Sequence, residues 1–289
     1  MALKSIICLF DGTDPDVAAL ETAIAIAKAR SAHLRVVHAH FPFLVYGGGR
    51  GGYLLSDDTW IEAINRQQFQ QEANAHSRAK EVCQRLDLPL DGEGKTLPHA
   101  SFVPVHSTIA ADLLRELSLC DLLVLGGKAQ GDGLESSVAE MALFSSGRPA
   151  LIVRPRDDGA TPQFDGERLA VAWNGGPQVV RALVGAIPVM RHARDVVLLK
   201  AEGHRHTGAT SGDTTALVYL DAHGVNASLE VVEMEHRSAA EAVLDRAREL
   251  KCAGLVMGAY GHSVFREMVI GGFSQHMLRN CELPLLMSH

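Results

Sequence analysis

Short apolar runs and amphipathic stretches alternate along this chain, and the alternation occurs twice. Ser5-Ile-Ile-Cys-Leu-Phe-Asp11-Gly12 is an apolar run that ends in a polar turn, and Leu169-Ala-Val-Ala-Trp-Asn174-Gly175-Gly176 has the same form. Runs this short, bounded by turn residues, read as buried strands. An amphipathic stretch follows each. Residues 16–30 place Val17, Leu20, Ile24 and Ala27 on one helical face, and residues 177–191 do the same with Val180, Leu183, Val184 and Ile187. Second strands come next, at 32–38 and 195–200. Later helices at 108–118 and 238–250 lead to Asp121-Leu-Leu-Val-Leu-Gly126 and Gly254-Leu-Val-Met-Gly258. Each half closes on a strand that carries a proline at its start, 148–154 and 283–288.

Strands that alternate with helices of this length predict βαβ units and a parallel sheet, with right-handed crossovers placing helices on both faces. The predicted fold is α/β: two tandem doubly wound domains, each with a five-stranded parallel sheet and about four helices. The polar, Pro- and Gly-bearing segment 156–166 reads as the linker between a first domain at 1–155 and a second at 167–289. The halves are unequal. The first carries a glycine cluster at about 46–52 and then a long helical stretch over 57–86. The cluster lacks the Gly-Lys-Ser/Thr ending of a phosphate-binding Walker loop, so it reads as an inserted loop beside the sheet.

Composition narrows the function classes. The net charge of −7 gives no footprint for general nucleic-acid binding. No apolar stretch is long enough to span a bilayer, and the N-terminal apolar run is too short for a signal peptide. Five scattered cysteines without a CxxC pair read as reduced thiols, which places the expected protein in the cytoplasm.

The densest candidate chemistry lies in Gly258-Ala-Tyr-Gly261-His262-Ser-Val-Phe-Arg-Glu-Met-Val-Ile-Gly271-Gly272-Phe273-Ser274. It joins a predicted strand to a predicted helix beginning at Ser274. Glycines there let a ligand approach the backbone, and N–H groups at a helix start attract anions. Candidate phosphate donors are the backbone N–H groups of Gly261, His262, Gly272 and Phe273, with Ser274 as a capping hydroxyl. His262 and Arg266 add charge.

The run Gly258-x2-Gly261-x9-Gly271 resembles the glycine-loop signature of the universal stress protein family, and the likeness extends to both halves. Gly272 stands where the family often has Ser or Thr, and Ser274 supplies a hydroxyl two positions on. The resemblance implies a tandem member that binds ATP or a related adenine nucleotide (AMP or ADP), with Mg2+ accompanying ATP. It also implies a stress-response regulatory or sensor role. The adenosine contacts it implies fall on Ala172, Asn174 and Ala201, with Asn174 replacing the family's acid. Their first-half counterparts are Asp11 and Ala39. The first-half loop, from Gly126 through Lys128 to Ser137, is about three residues shorter and carries Asp132 and Glu135, which repel phosphate.

No acid sits as a general base beside these phosphate positions; Glu267 reads as a surface charge. Slow ATP hydrolysis is a minor reading, and an ATP-dependent ligase lacks its Ser/Gly-rich first loop. A ligand-free scaffold that self-associates through strand five, between halves or between chains, is the other alternative. His38, His40 and His106 lack an accompanying ligand motif, so no metal site is expected. No GxSxG elbow occurs.

Overall fold

Alternate residues of each central strand enter opposite apolar layers, and this alternation builds the architecture. Ile6, Cys8 and Phe10 pack into one layer while Ile7 and Leu9 pack into the other. Leu169, Val171 and Trp173 repeat the first pattern, and Ala170 and Ala172 the second. Strands that are apolar on both faces must be covered on both, as parallel sheets require.

The structure is a computed structural model that describes residues 2–40, 58–92, 96–106, 110–127, 137–156, 160–162, 164, 167–202, 210–259 and 272–288. The first half comprises β1 (Ser5–Leu9), α1 (Asp14–Arg30), β2 (His33–His40), α2 (Asp58–Arg85), β3 (His99–His106), α3 (Ala110–Ser118), β4 (Leu122–Gly126), α4 (Ser137–Ser145) and β5 (Ala150–Val153). The second comprises β6 (Leu169–Ala172), α5 (Pro177–Met190), β7 (Val196–Glu202), α6 (Ser211–Ala222), β8 (Ala227–Glu233), α7 (Ala239–Glu249), β9 (Gly254–Gly258), α8 (Gly272–Asn280) and β10 (Leu285–Ser288). The order of elements is that expected from the sequence pattern. Helices α1, α2, α5 and α6 lie on one face, and α3, α4, α7 and α8 on the other.

Within each half the five strands are parallel. The halves then join edge to edge, giving one sheet in the order β3-β2-β1-β4-β5-β10-β9-β6-β7-β8. The joining pair is antiparallel, with Leu285 opposite Ile152, Leu286 opposite Leu151 and Met287 opposite Ala150. Both neighbours of β5 and of β10 are therefore taken. The expected association between chains through strand five finds no open edge, because the internal pair uses it. Antiparallel joining also points the carboxyl ends of the two parallel sets toward opposite edges of the common sheet.

Three local expectations are corrected. Helix α1 begins two residues earlier than residue 16. Thr13 caps it, and Asp16 and Thr13 form a reciprocal capping box with Pro15 in the first turn. Helix α8 begins at Gly272, so Ser274 sits buried inside the first turn rather than at the cap. On α5, Val180 and Val184 are exposed; the buried face carries Val179, Ala182, Leu183, Ala186 and Ile187. The alanines let the helix approach the sheet closely, and that turns the valines outward.

The linker is anchored by Phe164, which is 2% exposed and lies against Gly254 at the start of β9. Phe164→Ala is expected to destabilise the chain by about 3–4 kcal/mol, the usual cost of deleting a buried phenyl ring. Chemical denaturation followed by tryptophan fluorescence measures it; a loss under 1 kcal/mol would show that the linker is not anchored there.

Candidate functional site

In each half the first strand is short and ends in a polar turn residue, and that turn feeds directly into a helix. The two turns correspond residue for residue in the chain. Asp11 matches Asn174, Gly12 matches Gly175 (φ +84° and +70°), and the helix caps Thr13 and Gly176 match. The third residues of the following helices are Asp16 and Val179. The ends of β4 and β9 press against these helix starts. A methyl group at Gly258 would come 2.6 Å from Gln178 C and from Val179 N, and one at Gly126 would come 3.2 Å from Pro15 C and Asp16 N. At Gly258 backbone fills the space that a side chain would need, and at Gly126 the Asp16 carboxyl oxygen, 2.5 Å from where a methyl group would lie, fills it.

In the second half, a cavity of about 290 Å³ opens at the carboxyl ends of β6, β7 and β9. Ligands of open parallel sheets bind at such a place. Of the residues singled out from the sequence, Ala172, Asn174, Ala201, Gly258, Gly272, Phe273 and Ser274 all line this cavity. Gly261, His262 and Gly271, with Arg266 and Glu267, lie outside the described residues. The sequence pattern missed Trp173, Gln178, Val179, Leu199, Ala239, Val243 and Met257, which complete the wall. Leu199 could have been found by strand alternation with Ala201; Ala239 and Val243 could not, since they come from a distant helix. The wall is mainly apolar. Polar groups are confined to Asn174, Gln178 and Ser274, together with the first turn of α8. The first N–H groups of a helix have no acceptor within it, so that turn presents donors.

Trp173 is held from behind. Its indole Nε1 donates to Asp213 Oδ1 at 2.7 Å. Lys200 Nζ and Thr210 N donate to Oδ2 at 2.9 and 2.8 Å, and Lys200 also pairs with Glu202 at 2.9 Å. Asp213 is 3% exposed. Burial opposes its charge, but the donors from Thr210, Lys200 and Trp173 outweigh burial and hold it well below the usual carboxylate range. This buried cluster ties α6 to the ends of β6 and β7 and so fixes one wall of the cavity.

The corresponding place in the first half differs in chemistry. Its cavity, about 570 Å³, is lined by Asp11, Gly12, Thr13, His38 and Ala39, and α2 contributes Gln68, Gln71, Asn74 and Arg78. Thus Asp11 and Ala39 line it, Gly126 is buried under α1, and Lys128 lies outside the described residues. Arg78 donates to Gly12 O and pairs with Asp14, which fastens α2 to the turn. His38 Nδ1 lies 3.0 Å from Phe10 O and 3.2 Å from Asp11 Oδ1. Both partners accept, so Nδ1 carries a proton. Burial pushes His38 down, but its bonds to Asp11 and Phe10 outweigh burial, and the net shift is upward.

The decisive difference is Asp16. Its Oδ2 accepts from Asp11 N at 3.0 Å, Thr13 N at 3.2 Å and Thr13 Oγ1 at 2.8 Å. A carboxylate of the chain itself thus occupies the backbone donors that an anionic ligand would use at this turn. In the second half the equivalent side chain is Val179, and Gly176 N donates only to Asn174 Oδ1 at 2.9 Å. Among the described residues, no group of three His, Cys, Asp or Glu side chains could hold a metal ion, and no helix is long and apolar enough to cross a membrane. All five cysteines are buried and unbridged.

The chain is similar to known proteins in part of its sequence and in its fold. The family model described as universal stress protein matches residues 189–289. A universal stress protein from Archaeoglobus fulgidus is 17% identical with a TM-score of 0.66, covering 98% of this chain and 97% of its own. A protein of unknown function from Pseudomonas aeruginosa is 15% identical with a TM-score of 0.55, covering 99% of this chain and 92% of its own. A universal stress protein solved in complex with cAMP covers 43% of this chain and 97% of its own, at 14% identity and a TM-score of 0.34. No curated protein matches the sequence.

Asp16 makes the first half sensitive to pH. Burial raises its carboxyl from 3.8 to about 6, against the bonds from Thr13 and Asp11. Between those values the folded chain holds a proton that the unfolded chain has lost. The stability this group contributes is therefore full below pH 4 and drains away as pH rises to about 6. Asp16→Asn keeps an oxygen acceptor and removes the titration. Its melting temperature should lose that part of the wild-type fall between pH 4 and 6.5; thermal unfolding across this range checks it, and parallel curves would refute it.

Proposed function

We propose that the second half, whose residues 189–289 match the universal stress protein family model, binds an adenine nucleotide. ATP, ADP and AMP share the groups concerned, and Mg2+ would accompany ATP. The observation that carries the reading is the cavity at the ends of β6, β7 and β9. Its apolar wall of Ala172, Leu199, Ala201 and Val243 suits a flat heteroaromatic ring. The first turn of α8, with Gly272, Phe273 and Ser274, suits phosphate. Asn174 offers an amide where a ribose hydroxyl would lie. The glycine loop read from the sequence, with Gly261, His262 and Gly271, supplies further phosphate donors in this proposal.

Binding is asymmetric on this reading. Asp16 fills the donors of the first-half turn that corresponds to the turn at Asn174, where the second half would meet the ribose. On this reading the first half, with Asp11, Ala39, Gly126 and Lys128, holds no nucleotide. With no acid or histidine among the described residues that line the cavity, the nucleotide is read as a regulatory ligand whose binding biases the conformation that partners meet. The chain then works as a nucleotide-dependent sensor in a stress response.

Denaturing the purified protein and identifying what it releases tests the proposal, followed by calorimetric titration of the nucleotide-free chain with ATP and AMP. One site per chain is expected. Ala201→Leu and Ala172→Leu fill the cavity without adding polarity. They should weaken binding at least about tenfold, the scale of blocking a few apolar contacts. Asp11→Ala should leave affinity unchanged. Neither release nor titratable binding would overturn the reading, as would equal losses from the two halves.

A further inference from the structure

The second half's cavity borders on a helix whose far end is held by the first half. Helix α8 has nine residues and presents its first turn to the cavity. A helix this short does not hold its shape or direction unaided. At its other end, Arg154 Nη1 donates to Cys281 O at 2.8 Å, and Nη2 donates to Leu278 O. Arg154 follows β5 and belongs to the first half, yet it is 5% exposed and lies 127 and 124 residues from its acceptors. Its stem runs across Gly127, where a methyl group would come 2.9 Å from Arg154 Cγ. From the second half itself, exposed Arg248 reaches Asn280 O at only 3.4 Å.

We infer that Arg154 is a positioning residue for the nucleotide site of the other half: it caps the carboxyl end of α8 and so aims the amino end of that helix at the ligand. The inference rests on the proposed nucleotide site. Two physical effects act together. The guanidinium satisfies carbonyls that the last turn of any helix leaves without partners. A buried positive charge at a helix carboxyl end also complements the helix dipole, whose positive end faces the phosphate. Because that charge is buried, salt screens it far less than it screens Arg248. The join between β5 and β10 creates the arrangement: antiparallel pairing sets the end of β5 beside the start of β10, where α8 terminates. The second half's site therefore depends on a side chain that a lone copy of that half would lack.

The test compares Arg154→Met, Arg154→Lys and Phe164→Ala in the full-length chain. Phe164 also joins the halves but does not touch α8's end, so its variant controls for general loosening of the interface. ATP affinity is measured by calorimetry, and hydrogen exchange is followed at α8 without ligand. Arg154→Met should raise the Kd for ATP about tenfold, the effect of losing a buried helix-end charge with its bonds. Arg154→Lys, which keeps the charge but not the two-pronged bonding, should recover part of that loss. Arg154→Met should also speed exchange across α8, whereas Phe164→Ala should lower stability and leave ATP affinity unchanged. If the wild-type chain binds ATP and Arg154→Met binds it equally well, the inference fails. It also fails if Phe164→Ala weakens binding as much. If the wild-type chain binds no ATP, the nucleotide reading falls, and exchange at α8 still decides whether Arg154 fixes that helix.

Discussion

The antiparallel join between β5 and β10 is the constraint on which the rest depends. Each half ends in a short strand whose residues are wholly buried, Ala150–Val153 and Leu285–Ser288. Left open, such an apolar edge would be a template for uncontrolled pairing. Joining the two edges buries both and merges two parallel sheets into one. It also decides where function can lie. The carboxyl ends of the two strand sets emerge on opposite edges, so the cavities cannot face each other or share a ligand. Any influence of one half on the other must cross the join, and Arg154 is a buried polar link that does so.

The two copies have drifted apart by changing what sits at one helix position. Asp16 and Val179 occupy the third residue of equivalent helices, beneath equivalent glycines. The carboxylate in the first half closes the turn on itself, and it is reinforced by Arg78 from a helix that crosses above. The valine in the second half leaves the turn's donors to Asn174 alone and adds an apolar surface to the wall. Asp16 against Val179, together with Thr13 against Gly176 at the cap, separates a turn whose donors a carboxylate fills from one whose donors none fills. The polar roof of α2 strengthens the contrast, since glutamines and an asparagine suit hydrogen bonding better than ring stacking.

Much of this was legible in the sequence because periodicity and turn residues are local. The strands, their order and the doubling follow from apolar runs of fixed length, and half of the cavity's lining residues follow from their places at strand ends and at the start of α8. The faces of helices were less legible. Val180 and Val184 look like core by hydrophobicity, yet α5 buries Ala182 and Ala186 because small residues permit a closer approach to the sheet. The polar links were not legible at all. Trp173 meets Asp213 across 40 residues, and Arg154 meets the end of α8 across more than 120. No local pattern marks such partners; only the folded chain brings them together.

That division carries a consequence for how the site is built. The apolar wall is set by strand alternation, which tolerates exchange among residues of similar volume. Two distant charged groups brace the cavity from behind: Asp213 holds Trp173 on one side, and Arg154 holds the end of α8 on the other. Buried charges of this kind add little net stability, because desolvation offsets their attraction, but removing one partner leaves the other stranded at high cost. They therefore act on geometry more than on stability. In the second half, shape comes from the repeated fold and aim comes from two buried ion and hydrogen-bond clusters, one of which the other copy supplies.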